Sequence, residues 1–265
     1  ALGFKFLSVA DQTYHWGLLD REVYLAIWIV TFSLLGLYLL GKIRFAHDEK
    51  VEHLSVTRLA LAIVDFTFVV YMIPGMFGAP LKALSGYLPP ISTQDFVLGA
   101  VNASSPGNEE DERTTSLYGE KYGLHLPLGL DGYFTVEEGL AAAKASGKPV
   151  FVDVTGHGCV NCREMEARVW SDPRVLELLS KKFVVVALYV DDKTKLDEAD
   201  WVHAANGDVY KEIGRANAYI ARTRFEVNSQ PNYILLDSDG RQLAPARGYN
   251  LDVQGFMDFL NVALK

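Results

Sequence analysis

Cys159 and Cys162 are the only two cysteines in 265 residues, and they stand in the run Thr155-Gly156-His157-Gly158-Cys159-Val160-Asn161-Cys162-Arg163. Two thiols one helical turn apart can close into a disulfide and reopen. The attacking species is a thiolate, yet a free cysteine is mostly protonated at neutral pH. A helix N-terminus favours the thiolate through its partial positive charge and its free N–H groups. The preceding run, Pro149-Val150-Phe151-Val152-Asp153-Val154, reads as a buried strand, and residues 163–170 read as a helix. A Cys-x-x-Cys at a strand-to-helix junction is the setting of a redox pair. Cys159, at the helix start, is expected to attack. Cys162, one turn further in, is expected to resolve the mixed disulfide.

Three more residues fit that chemistry. Asp153 is a carboxylate inside an apolar strand, which is costly without partners or work. Its expected work is proton exchange with Cys162. Glu166 follows Cys162 at i+4, shares its helix face and can look toward Asp153. Taken alone, Glu166 reads equally well as a solvated helix residue. Pro231, in Ser229-Gln230-Pro231-Asn232, directly precedes an apolar run. Generic X-Pro bonds are cis only ~5% of the time, but a proline at this place, in a domain with a Cys-x-x-Cys helix, is expected to be cis and opposite the cysteines.

Two unlike halves must position these residues. Residues 1–90 are rich in Leu, Val, Ile, Phe and Tyr, whereas residues 101–265 carry most of the charge. Residues 23–41 form an uncharged apolar run long enough for the ~30 Å hydrocarbon core of a bilayer. Residues 59–81 form a second, containing Asp65 and ending at Pro74-Gly75, which is expected to kink or stop the helix. A carboxylate in such a segment usually faces another helix, a bundle interior or water. Trp16 and Tyr14 precede the first span in a polar, aromatic loop suited to a membrane–water interface. The loop over 42–58 holds Lys42, Arg44, Lys50 and Arg58, more than either flanking segment. That bias puts the loop inside and everything after the second span outside. Residues 1–9 read as the last turns of a cut membrane helix or as a short surface segment. The chain starts at Ala1 without a secretory leader pattern and reads as the C-terminal piece of a longer protein.

The expected organisation is membrane helices over 1–90, a flexible acidic linker over 91–125 and an α/β domain over 126–265. The linker carries Asn102-Ala103-Ser104, a weak glycosylation match, and the acidic run Glu109-Glu110-Asp111-Glu112. In the domain, Thr135 with Glu138 forms a capping signature for a helix ending at Gly147. Residues 183–190, apolar and β-branched, read as a central strand. A charged loop over 191–207, a helix over 209–223, a strand over 232–236, a turn at Asp237-Ser238-Asp239-Gly240, a partner strand over 242–246 and a helix capped by Asp252 complete it. A net charge of −8 without a Lys/Arg tract gives no support to nucleic-acid binding, and no cofactor is expected.

Residues 148–173 carry a resemblance. Cys159-Val160-Asn161-Cys162, then Arg163-Glu164-Met165-Glu166 and Ser171-Asp172-Pro173, resemble the C-terminal periplasmic domain of the DsbD family of thiol:disulfide interchange proteins. The resemblance implies a thioredoxin-like domain, a central mixed sheet flanked by helices, preceded by transmembrane helices. It implies Cys159 and Cys162 as the redox pair, Pro231 as the cis-proline, and Asp153 and Glu166 as carboxylates near the sulfurs. It further implies a bacterial inner-membrane, multi-pass protein with this domain in the periplasm. Electrons would come from an upstream membrane-domain cysteine pair of the same protein and pass to periplasmic thiol–disulfide partners, with membrane lipid around the spans. Two features depart from the family. Gly156-His157-Gly158 lacks the aromatic common before the first cysteine, and no membrane cysteines are present. Two other readings remain open. One is a membrane-tethered thioredoxin for cytochrome c maturation. The other is a soft-metal module in which Cys159, Cys162 and His157 hold an ion such as Cu(I). Arg163 stands where c-type haem attachment requires histidine.

Overall fold

The computed structural model describes residues 2–48, 50–94 and 116–265. The acidic run and Asn102-Ala103-Ser104 lie outside the described residues.

The N-terminal part comprises α1 (Leu2–Tyr14), α2 (Arg21–Leu39) and α3 (Val56–Met72), the last continuing into a tight 3₁₀ turn, Ile73–Phe77. Pro74 and Gly75 lie in that turn, where the sequence reading ends the helix. Arg21–Leu39 and Val56–Phe77 are both long and apolar enough to cross a membrane, and only 22% and 28% of their apolar windows are buried within the protein. They pack on each other through Tyr24, Leu25, Trp28, Val69 and Met72, and leave Val30, Leu34, Leu61, Ile63 and Val64 exposed on the outside. Asp65 is buried and turns toward α2, where a side chain at Gly36 would meet its Oδ2 at 2.8 Å. α1 runs through Tyr14 into the stretch read as a polar loop, and the carboxylate of Asp11 accepts the N–H groups of Leu18 and Leu19 just beyond it.

Regular structure is already present before residue 126. α4 (Leu117–Tyr122) falls within the stretch assigned to the linker. It is held by Tyr122 Oη on Asp200 at 2.6 Å and by Lys121 on Asp197 and Asp200. α5 (Val136–Ser146) follows, with Thr135 Oγ1 accepting the Glu138 N–H. The reciprocal half of the capping box is diverted, because the Glu138 carboxylate binds Ser116 Oγ and the Tyr118 N–H instead. The chain continues through β1 (Val150–Thr155), α6 (Val160–Met165), α7 (Pro173–Lys182), β2 (Val184–Tyr189), β3 (Val202–His203), β4 (Val209–Tyr210), α8 (Ile213–Phe225), β5 (Asn232–Leu236), β6 (Arg247–Gly248) and α9 (Val253–Val262).

The main sheet has the order β2-β1-β5-β6; β1 is parallel to β2 and antiparallel to β5. Side chains of a strand alternate between faces. Phe151, Val185, Ala187, Tyr233 and Leu235 meet Met165, Trp170, Leu179, Phe256 and Leu260 on one face. Val150, Val152, Val154, Val186, Leu188 and Ile234 meet Val136, Ala143, Ala221 and Phe225 on the other. Asp153 has the parity of Phe151, so alternation assigns it to the face that carries α6.

Two boundaries differ from the sequence reading. The helix expected over 209–223 starts at Ile213, because Val209 and Tyr210 pair with His203 and Val202. The charged loop therefore contains a strand, and the Tyr210 ring stacks on Tyr219. The expected partner strand over 242–246 is reduced to one bridge, Gln242 to Leu236, and the ladder is made by Arg247 and Gly248. Pro245, which has no N–H to donate, interrupts the expected strand.

Candidate functional site

Cys159 is the N-cap of α6, in extended conformation, and Cys162 sits within the first turn. The two form a disulfide with Cα atoms 5.3 Å apart. The Cys162 N–H lies 3.1 Å from Cys159 Sγ. That donor supports negative charge on Cys159 once the bond is opened. Cys162 is 2% exposed and Cys159 7%, so both sulfurs are well covered.

The cover comes from the N-terminal part, which sequence reasoning did not place here. A Cβ on Gly158 would come within 2.7 Å of Val9 in α1, and one on Gly86 within 2.5 Å of Val160. Lys5 Nζ donates to the Gly86 carbonyl at 3.0 Å, and the Lys193 N–H to the Thr13 carbonyl at 2.9 Å. Arg21 ties the same region together through the Pro89 carbonyl at 2.7 Å. The small residues of Gly156-His157-Gly158 thus admit α1 against the cysteine loop. Gly156 is equally constrained, since a Cβ there would lie 2.6 Å from Gln230 Oε1 and 2.7 Å from Asp191 Oδ2. The Asp191 carboxylate fixes the loop by accepting the N–H groups of His157 and Gly158 at 2.8 and 2.9 Å. The Gln230–Pro231 peptide is cis, and Gln230 brings this turn beside the cysteine loop.

The helix that carries the cysteines and the strand before it also contribute a buried charge cluster. Asp153 is 2% exposed and Glu166 8%. Between them in charge stands Arg163, 5% exposed, with its guanidinium 2.7 Å from Glu166 Oε1. Sequence reasoning identified both carboxylates but not this cation. Its adjacency to Cys162 was visible; its inward direction was not. Burial first, then the like charge of Glu166, pushes the Asp153 carboxyl well above the usual carboxylate range, against the pull of Arg163. Burial pushes Glu166 up to about 7, opposed by Arg163. One guanidinium balances one anion, so the pair holds a proton more readily than two free carboxylates would. Asp153 Oδ1 has no hydrogen-bond partner among the described residues.

This cluster has a pH signature. Glu166 titrates near 4.5 when unperturbed and near 7 in the fold. Between those values the native chain holds a proton that the unfolded chain has released. Stability from this group is therefore complete below about pH 4.5 and declines as pH rises through 7. Glu166→Gln is expected to flatten the decline, read as the difference between unfolding midpoints at pH 5 and pH 7.5 for variant and parent. Equal slopes would show that Glu166 does not titrate in this window.

A family model described as thioredoxin-like matches residues 131–237. Thiol:disulfide interchange protein DsbD 1 of Pseudomonas aeruginosa is 29% identical over 121 residues, which is 46% of this chain and 17% of that protein. The match thus spans about a sixth of that relative's length. Among solved structures, a thioredoxin from Thermus thermophilus shares 24% identity at a TM-score of 0.36, covering 49% of this chain and 84% of that one. A structure described as DsbH oxidoreductase shares 16% identity at a TM-score of 0.39, covering 62% and 96%. The α/β domain is thioredoxin-like, and its Cys159–Cys162 disulfide marks thiol–disulfide oxidoreductase chemistry. Such chemistry implies protein partners that carry thiols or disulfides.

Proposed function

We propose that this chain relays electrons by dithiol–disulfide exchange, from a membrane-domain cysteine pair to periplasmic client proteins, as a protein-disulfide reductase. The observation that carries the reading is the Cys159–Cys162 disulfide at the start of a helix that also carries the buried Arg163–Glu166 pair, with buried Asp153 on the preceding strand. The likeness to an interchange protein and the two apolar helices support the membrane setting. In this reading residues 21–39 and 56–77 cross the inner membrane and the thioredoxin-like domain lies outside.

In the reduced state the Cys159 thiolate attacks a client disulfide. One client sulfur leaves as a thiolate and the other stays bound to Cys159. Asp153, as a carboxylate, accepts the proton of Cys162. The Cys162 thiolate then attacks Cys159 Sγ, releasing the second client thiol and closing the Cys159–Cys162 disulfide. Two electrons pass to the client, and the chain is left oxidised. A dithiol from the membrane domain restores it by the reverse exchange. The cover over Cys159 has to move for either partner to reach the sulfur.

Equilibration of the full chain in detergent with glutathione buffers is expected to give a single, reversible two-electron transition. In cells, loss of the upstream cysteine pair is expected to leave Cys159 and Cys162 oxidised in thiol-trapping assays. An irreversible or absent transition removes the oxidoreductase reading. A reversible transition with cellular redox state independent of the upstream pair removes the relay alone.

A further inference from the structure

The seam between α1 and the thioredoxin-like domain holds a second constellation that disulfide exchange does not use. Asp192 Oδ2 lies 2.8 Å from His157 Nε2 and 2.9 Å from His15 Nε2. The three donor atoms all lie within 4.8 Å of one another. The Asp192 side chain is fully buried. Among the described residues no Lys or Arg pairs with it; its charge partners are the two imidazoles. A buried carboxylate needs a compensating cation, and an ion held between the two imidazoles and Asp192 would supply it.

We propose that His15, His157 and Asp192 bind a divalent transition-metal cation of the zinc class. Two imidazole nitrogens and one carboxylate oxygen form a borderline N/O donor set of the kind such ions take. Zinc bound to these donors at about 2.0–2.2 Å would hold them about 3.3 Å apart. The two contacts to Asp192 Oδ2 have to open by about half an ångström to reach that spacing. The surroundings fix each ligand. Asp192 Oδ1 accepts the Thr194 N–H at 2.8 Å, which leaves Oδ2 facing the imidazoles. The His157 ring stacks on Tyr189 with centroids 4.2 Å apart and planes 8° from parallel. His15 is held at φ +54°, in the left-handed region, by a loop that Asp11 ties down. Supporting contacts of this sort orient metal ligands and tune their affinity. The histidines also border a cavity of about 210 Å³ shared with Asp11 and Gln12. It has room for water in a fourth position, as in open three-ligand sites. When occupied, the site fastens the segment after α1 to the loop that carries Cys159.

The test uses the full, untagged chain in detergent with its disulfide oxidised, so that no thiolate competes. Titration with Zn²⁺ against a chromophoric chelator is expected to give one equivalent bound. His15→Ala and Asp192→Asn are each expected to weaken binding at least about tenfold. Co²⁺ added to the parent chain is expected to give visible d–d bands without sulfur-to-cobalt charge transfer, a readout that does not depend on any variant folding. Absence of stoichiometric Zn²⁺ binding, unchanged affinity in both variants, or a cobalt spectrum showing sulfur ligation would overturn the site.

Discussion

Cys162→Ser is expected to turn the chain from a thiol–disulfide oxidoreductase that turns over into a trap. The variant keeps the Cys159 thiol and the helix start that activates it, so the first attack on a client disulfide survives. It lacks the sulfur that would release the client. Turnover is expected to fall about a thousandfold or more, as for other losses of an essential covalent participant. Mixed disulfides on Cys159 should then accumulate. Cys159→Ser is expected to lose turnover and trapping together. The asymmetry has a structural cause. Cys159 sits at the N-cap and accepts the Cys162 N–H, whereas Cys162 lies one turn deeper and less exposed. Non-reducing electrophoresis of both variants, after incubation with a disulfide-bonded client, reads the outcome. Partners caught through Cys162 in the Cys159→Ser chain, and none through Cys159, would reverse the assignment of attacking and resolving sulfurs.

The same incubation bears on the cover. Val9 and Gly86 press on Gly158 and Val160, so a folded client cannot approach while α1 is seated. Closed and open arrangements of one protein are biased by whatever binds each. A bound cation at His15, His157 and Asp192 would favour the closed one, and a client disulfide the open one.

How much of this was legible depends on whether a residue's role is local or made by the fold. The Cys-x-x-Cys loop, its flanking strand and helix, and the carboxylate in an apolar strand are local signals. Strand alternation then puts Asp153 on the α6 face without further information. The capping signature at Thr135 was legible for its backbone half only, since Glu138 is drawn away by Ser116 and Tyr118, distant in sequence. β4 and β6 were missed because two-residue strands carry no periodicity, and their pairing is decided by partners elsewhere. The cation of the cluster was missed for a different reason. An arginine in a helix following a cysteine reads as solvated, and only packing against Glu166 turns it inward. His15 and Asp192 are separated by most of the chain and have no local signature.

Arg163→Met is expected to be strongly destabilising, and its cost should depend on pH. Breaking a buried ion pair by removing one partner typically costs about 3–5 kcal/mol, because a charge is left buried without compensation. Here the remaining partners can escape part of that cost by taking up protons. Arg163 now holds down the carboxyl groups of both Asp153 and Glu166. Without it both rise further, so proton uptake at low pH relieves part of the cost. Above pH 5 the unfolded chain has largely released its protons at both positions while the native variant retains them. Stability of the variant should therefore fall more steeply than that of the parent between pH 5 and 8. Arg163→Met combined with Glu166→Leu removes a cation and an anion together. It should recover most of the loss, since replacing a buried pair by apolar groups of similar size is often nearly neutral. Denaturation midpoints of the parent, the single variant and the double variant at both pH values decide the matter. A pH-independent loss in Arg163→Met, unrelieved in the double variant, would mean that Arg163 acts by filling space. The expected result would instead tie stability and proton exchange to one cluster. An Asp153 locked in its protonated form cannot accept the proton of Cys162, so turnover in Arg163→Met should reach its maximum at higher pH than in the parent.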